Sequence, residues 1–319
     1  MTKRIDVHSH FLPDFYRIAA DEAGYGKPDG IPGLPAWSEQ AAIDMMDRLG
    51  IQSALLSISS PGVHFGDDVK ARALARRVNE EGARLRDTHG TRFGFFASLP
   101  LPDLDGAVAE SCYALDVLKA DGVVLKTNHH GLYLGDERLA VLFSELNRRK
   151  AVIFIHPTSP ACSCCSGISA KYPKPVLEFI FETTRSVVDM VLSGALERFA
   201  DMKVIVPHAG AALPIVADRV ELLLPVLGPV GAHAPDVAGQ LRKLYYDLAG
   251  APVPKLLGAL LQIAAKDRIF YGSDWPFTPV KAVESLLDKL ETTPLFDEAA
   301  RRDVMRGNAL ALFPRLLTM

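Results

Sequence analysis

Two histidines stand one residue apart near the start of the sequence, His8 and His10 in IDVHSH. Alternate side chains of an extended strand share a face, so these imidazoles point the same way, roughly 7 Å apart along the backbone. That suits one metal ion held by two ring nitrogens. Further along, His156 ends the apolar run VIFIHP, His208 ends VIVPHAG and Asp274 ends IFYGSDW. Taken singly, a strand-end histidine is more often a hydrogen-bonded structural residue than a ligand. Five such residues gathered at one pole would make a site. Imidazoles with one carboxylate suit zinc, and also manganese or iron where oxygen-rich positions stay open. A ligand set of that kind leaves room for water or substrate, as a catalytic centre requires.

The elements that could gather them are legible as short apolar segments rich in Val, Ile and Phe. They cover 4–8, 53–59, 93–99, 122–127, 151–157, 203–208, 244–250 and 268–274. Near-continuous apolar runs are the pattern of parallel strands covered by helices on their outer face. Helix-type stretches separate them, among them AAIDMMDRLG, DVKARALARRVNEEGARLRDTHG and PVLEFIFETTRSVVDMVLSGALERFA. Eight β segments alternating with helices predict an α/β fold, a (β/α)₈ TIM barrel, with a doubly wound open sheet as the other arrangement of the same elements. In a barrel all eight strand ends share one mouth, which is where the five polar residues would meet. The Gly/Pro-rich stretch 24–37 and the irregular stretch 157–175 interrupt the rhythm after strands one and five, where lids belong. No linker divides residues 1–319, so a single domain is expected.

Composition narrows the function classes. The 319 residues are 49% hydrophobic and 23% charged, with a net charge of −3, which favours neither nucleic acid nor an anionic membrane surface. No apolar run reaches membrane-spanning length, and Asp6 and His8 stand where a signal peptide would be apolar. A cytoplasmic location is expected. Cys162, Cys164 and Cys165 crowd into four positions with no partner pair elsewhere, which fits neither a disulfide framework nor structural zinc.

The strand-one HxH, the two later histidines and the strand-eight aspartate together resemble the amidohydrolase superfamily across nearly the whole chain. VPHAGAALPIVADR followed by YGSDWPF resembles its aminocarboxymuconate-semialdehyde decarboxylase branch, which includes the γ-resorcylate and 6-methylsalicylate decarboxylases. The resemblance implies a barrel of the metal-dependent hydrolase type, with His8, His10, His156 and Asp274 on one divalent ion, zinc foremost and manganese as the alternative. It implies His208 as the catalytic partner of Asp274, and an Arg219 that serves the neighbouring subunit's site, hence a homodimer that could pair further into a tetramer. Trp275 and Phe277 are candidate walls for an aromatic ring. The helix before strand two carries Asp44 where some relatives place a substrate-binding arginine.

The activity expected is metal-dependent, non-oxidative decarboxylation of a salicylate-like aromatic acid. The alternative is hydrolysis of a lactone, amide or carbon–carbon bond by metal-activated water. Lys126, ending strand four, is the residue that would favour a two-metal hydrolase. Asp247, ending strand seven, could orient a ligand histidine or cap a helix. His64, His129 and His130 read as surface residues.

Overall fold

The computed structural model describes residues 3–163, 171–228 and 235–317. Eight parallel strands form its main sheet: β1 (Arg4–His10), β2 (Ile51–Ser57), β3 (Phe93–Ser98), β4 (Gly122–Lys126), β5 (Val152–His156), β6 (Lys203–Val206), β7 (Tyr245–Asp247) and β8 (Ile269–Phe270). They lie in sequence order, each paired with the next. Between β8 and β1 the ladder is irregular. Val7 donates to the Tyr271 carbonyl, His10 donates to that of Trp275, and Ser9 bridges to Trp275 in parallel. These bonds bring the last strand back to the first, so the eight strands form the expected barrel.

Helices begin and end where side chains satisfy their orphan backbone groups. Ser38 Oγ accepts from Ala41 N at the start of Glu39–Leu49, and Gly50 at φ 64° ends that helix in the left-handed conformation. Asp67 caps Asp68–His89 and Asp103 caps Leu104–Asp116 in the same way. The stretch read as one helix from Pro175 to Ala200 starts at Glu178 and breaks at Gly194, whose φ of 75° leaves the helical region. Strand eight is also shorter than its apolar run suggests, since the chain leaves the ladder after Phe270.

Most buried apolar side chains lie in one large cluster drawn from strands and helices. A second joins Leu55, Phe96, Val124, Phe154, Ile205 and Phe270 to Phe313 and Leu316 of the C-terminal segment. These strand residues precede the polar ones at the mouth, so the barrel is packed on one side of the site and open on the other.

Candidate active site

β1 places His8 and His10 on one face, with their Nε2 atoms 3.2 Å apart. β5 delivers His156, whose ring centroid lies 4.8 Å from that of His10 and 5.5 Å from that of His8. Asp274 arrives from the irregular segment after β8, held because its backbone N–H donates to the His8 carbonyl at 2.8 Å. One ligand atom from each of His8, His10, His156 and Asp274 falls within 4.8 Å of every other. The four residues span the sequence and meet at one pole.

Each histidine has its second nitrogen engaged, which fixes the ring and aims Nε2 at the cluster. His8 Nδ1 lies 2.9 Å from Asp247 Oδ2, and His10 Nδ1 lies 3.0 Å from Ser57 Oγ. His156 Nδ1 lies 2.8 Å from the Pro157 carbonyl. Asp247 is itself tied down, accepting from the backbone N–H of His208 and of Ala249. Of the two roles weighed for Asp247, the geometry places it behind His8. Ser57, in contrast, carried no signal that sequence reasoning used.

The electrostatics ask for a cation. Burial pulls His10 down to about 4 and His156 well below the ordinary imidazole range, so both stand neutral with lone pairs to give. For His8 burial acts downward as well, but the charges of Asp247 and Asp274 outweigh it and raise it to about 10. Burial likewise opposes ionisation of Asp274, and the imidazoles of His10, His208 and His8 still hold its carboxyl well below the usual range. The buried Asp247 and the largely buried Asp274 thus demand positive charge between them, which a proton on His8 or a divalent ion can supply. Neutral imidazoles and an ionised carboxylate are the ligand states a metal requires, so the donor set fits one.

Asp274 divides its oxygens between two surroundings. Oδ1 lies 3.1 Å from His10 Nε2 and 3.3 Å from His8 Nε2. Oδ2 accepts from Thr278 Oγ1 and lies 3.9 Å from His208 Nε2. His208 and Asp274 both sit at positive φ, 55° and 58°. For non-glycine residues this stores roughly 1–3 kcal/mol each, a strain that concentrates at functional sites. His208 Nδ1 is buried without a hydrogen-bond partner.

These groups open into a cavity of about 420 Å³. Ser59, Ser60, His156, His208 and Asp274 form its polar side. Ile31, Val176, Phe179, Ile180, Leu256 and Phe277 supply its apolar lining. Asp29, Ile31 and Pro175 bring both Gly/Pro-rich insertions to its rim. Phe277 packs edge-on against His10 at 5.4 Å. Trp275 is buried in the main core and lines no part of the cavity; its backbone carbonyl serves the barrel closure instead. Arg219 lies exposed on the helix Leu213–Leu227, outside this cavity. Asp44 is exposed and bonded to Gln40, and Arg48 of the same helix pairs with Glu284.

Lys126 does not bridge the cluster, because its ammonium donates to the Ile58 carbonyl. His64 and His129 are buried, contrary to the surface reading, whereas His130 is exposed. Cys162 is disulfide-bonded, which the crowding of the three cysteines did not suggest. Cys164 and Cys165 lie outside the described residues.

The Amidohydrolase family profile matches residues 5–315, almost the whole chain. The chain belongs to the amidohydrolase family. This amidohydrolase is 37% identical to the 6-methylsalicylic acid decarboxylase of Penicillium expansum, over 98% of its own length and 97% of that relative's. A solved structure of an amidohydrolase II is 35% identical, covers 98% of this chain and 100% of its own, and superposes with a TM-score of 0.92. A dihydroxybenzoic acid decarboxylase of Polaromonas sp. JS666, solved with bound manganese and 2-nitroresorcinol, shares the fold at TM-score 0.83 and 23% identity, covering 98% of this chain and 97% of its own.

Proposed function

We propose that this amidohydrolase removes CO₂, without oxidation, from a hydroxybenzoate-type acid related to salicylate. The observation that carries the reading is one cavity of about 420 Å³ with mixed lining. His156 and Asp274 of the His/His/His/Asp cluster line it together with His208 and with apolar residues that include Phe179 and Phe277.

His8, His10, His156 and Asp274 would hold one divalent ion. Zinc is our assignment for this donor set, and manganese the alternative. When bound, the ion supplies positive charge that draws the substrate's carboxylate and ortho hydroxyl to the polar side of the cavity. The remaining chemistry falls to the chain's own residues. Loss of CO₂ from a ring carbon leaves an electron pair, and protonation of that carbon beforehand gives the ring somewhere to hold it. Asp274 Oδ2 lies toward His208 and Thr278, while Oδ1 lies against His8 and His10, so Oδ2 is the oxygen placed to carry a proton to carbon. Since the resting carboxyl is ionised, it must first acquire that proton, and His208 is placed to relay it.

The two insertions act as a lid on a single barrel domain. Phe277 and the apolar wall sandwich the ring, while Trp275 supports Phe277 from the core. The dimer we assign uses the exposed face of Leu213–Leu227, where Ile215, Leu222 and Val226 stand 69%, 71% and 72% exposed on the same stripe as Arg219. Arg219 would enter the neighbouring subunit's cavity and meet substrate charge there. No described helix is long and apolar enough to cross a membrane, and we assign a cytoplasmic location. The hydrolase alternative loses its distinguishing residue, since Lys126 is bonded to Ile58.

The test is an assay of the metal-loaded protein against a panel of hydroxybenzoates. CO₂ release from an ortho-hydroxylated member is expected. Hydrolysis of lactones or amides with no CO₂ from any panel member would refute the reading.

A further inference from the structure

Across Asp29 from the active-site cavity, the barrel mouth holds a second one of about 520 Å³, over the ends of β2, β3 and β4. Among the described residues Asp29 alone lines both. A hydrogen bond of 2.7 Å between Ser60 Oγ and Thr158 Oγ1 runs along the partition.

The floor of this second cavity carries an incomplete set of polar groups. Lys126 is buried, and among the described residues its ammonium gives one hydrogen bond, to the Ile58 carbonyl. No carboxylate among the described residues lies within ion-pairing distance of Nζ. Asp29 cannot turn to it freely, because its Oδ1 accepts from both Ser159 N and Ser159 Oγ. Ser98 lines the same cavity, and its hydroxyl is buried with no hydrogen-bond partner. Above these groups, Val63, Leu99 and Leu101 form apolar walls. A buried amine without a counter-charge is costly, and a carboxylate would satisfy the amine and the hydroxyl together.

We propose that this second cavity binds a small carboxylate, with its anionic group on Lys126 and Ser98, separately from the cavity that holds the His/Asp cluster. Two sources share that chemistry. One is an aromatic acid whose ring the apolar walls cover. The other is bicarbonate formed from released CO₂, and only this source rests on the decarboxylase reading.

The experiment is calorimetric titration of the full-length, metal-loaded protein with benzoate and, separately, with bicarbonate at fixed ionic strength. Lys126→Met is expected to weaken at least one of them roughly ten-fold or more, the loss of a charge-assisted hydrogen bond. Ser98→Ala removes a hydroxyl that holds nothing in the fold, and should weaken the same probe by about three-fold. Loss confined to benzoate identifies an aromatic acid as the occupant, and loss confined to bicarbonate identifies the product. Affinities within two-fold of wild type for both probes in both variants would overturn the proposal. Should Lys126→Met fail to fold, Ser98→Ala alone decides by the same threshold. The CO₂ assay reads the decarboxylase assignment independently of these binding measurements.

Discussion

At the residue scale the proposed chemistry separates holding a cation from moving a proton. His8 sits at the centre, with Asp247 behind it and Asp274 before it, while the Nε2 of His208 lies 3.9 Å from the outer oxygen of Asp274. His8→Ala should therefore abolish metal content by elemental analysis and activity with it. His208→Ala should keep the metal and lose turnover by about 10²–10⁴-fold, the range for a positioned acid–base group. Retained activity in His208→Ala would remove its role. A second residue-scale prediction concerns His129, whose Nε2 accepts from Lys126 N and which burial lowers to about 3. The folded residue stays neutral where an unfolded one, near 6.5, takes up a proton. Its contribution is fully present above pH 6.5 and is lost as pH falls toward 3, by up to about 1.4 kcal/mol per pH unit. His129→Gln should be less stable at pH 7.5 and lose stability less steeply on acidification, read from denaturation midpoints. Parallel pH curves for the two proteins would contradict this.

The residues legible in the sequence were those that interrupt an apolar run: His8, His10, His156, His208 and Asp274 each stand at the end of one. Ser57 and Ser59 were not, because serine at a strand end is unremarkable until a ring nitrogen faces it. Trp275 and Phe277 look alike in sequence, being two residues apart, yet one lies in the core and the other against His10.

At the scale of elements, the eight apolar runs marked the strands because both faces of a covered parallel strand exclude water. The end of strand eight was less legible. Residues after Phe270 still read as β, but their backbone turns to bond β1, and that turn delivers Asp274 at positive φ. Tertiary pairing fixes it, and local pattern cannot report it. The two insertions were visible as breaks, and the contact between them was not. Asp29 of one accepts from Ser159 of the other. Asp29→Ala should free them and raise KM by about three- to ten-fold with a smaller change in kcat. An unchanged KM would show that this contact does not shape the cavity.

At the scale of the whole molecule, packing closes one pole of the barrel and chemistry occupies the other. Arg315 holds the C-terminal segment to Asp121 by donating to both carboxylate oxygens, and Phe313 stacks its edge toward Phe96. The apolar stripe on Leu213–Leu227 leaves a surface that a second copy would bury. Leu222→Asp should shift the protein from dimer to monomer in sedimentation and lower activity with it, if Arg219 completes the neighbouring site. A wild-type monomer would end that assignment.

The most direct measurement is the fate of the carbon that bore the carboxylate. Metal-loaded protein is supplied with an ortho-hydroxybenzoate in D₂O, and the product is read by NMR. The account predicts one deuterium at that ring carbon for each CO₂ released. Product that retains its carboxylate, or phenol formed with hydrogen at that position, would contradict it.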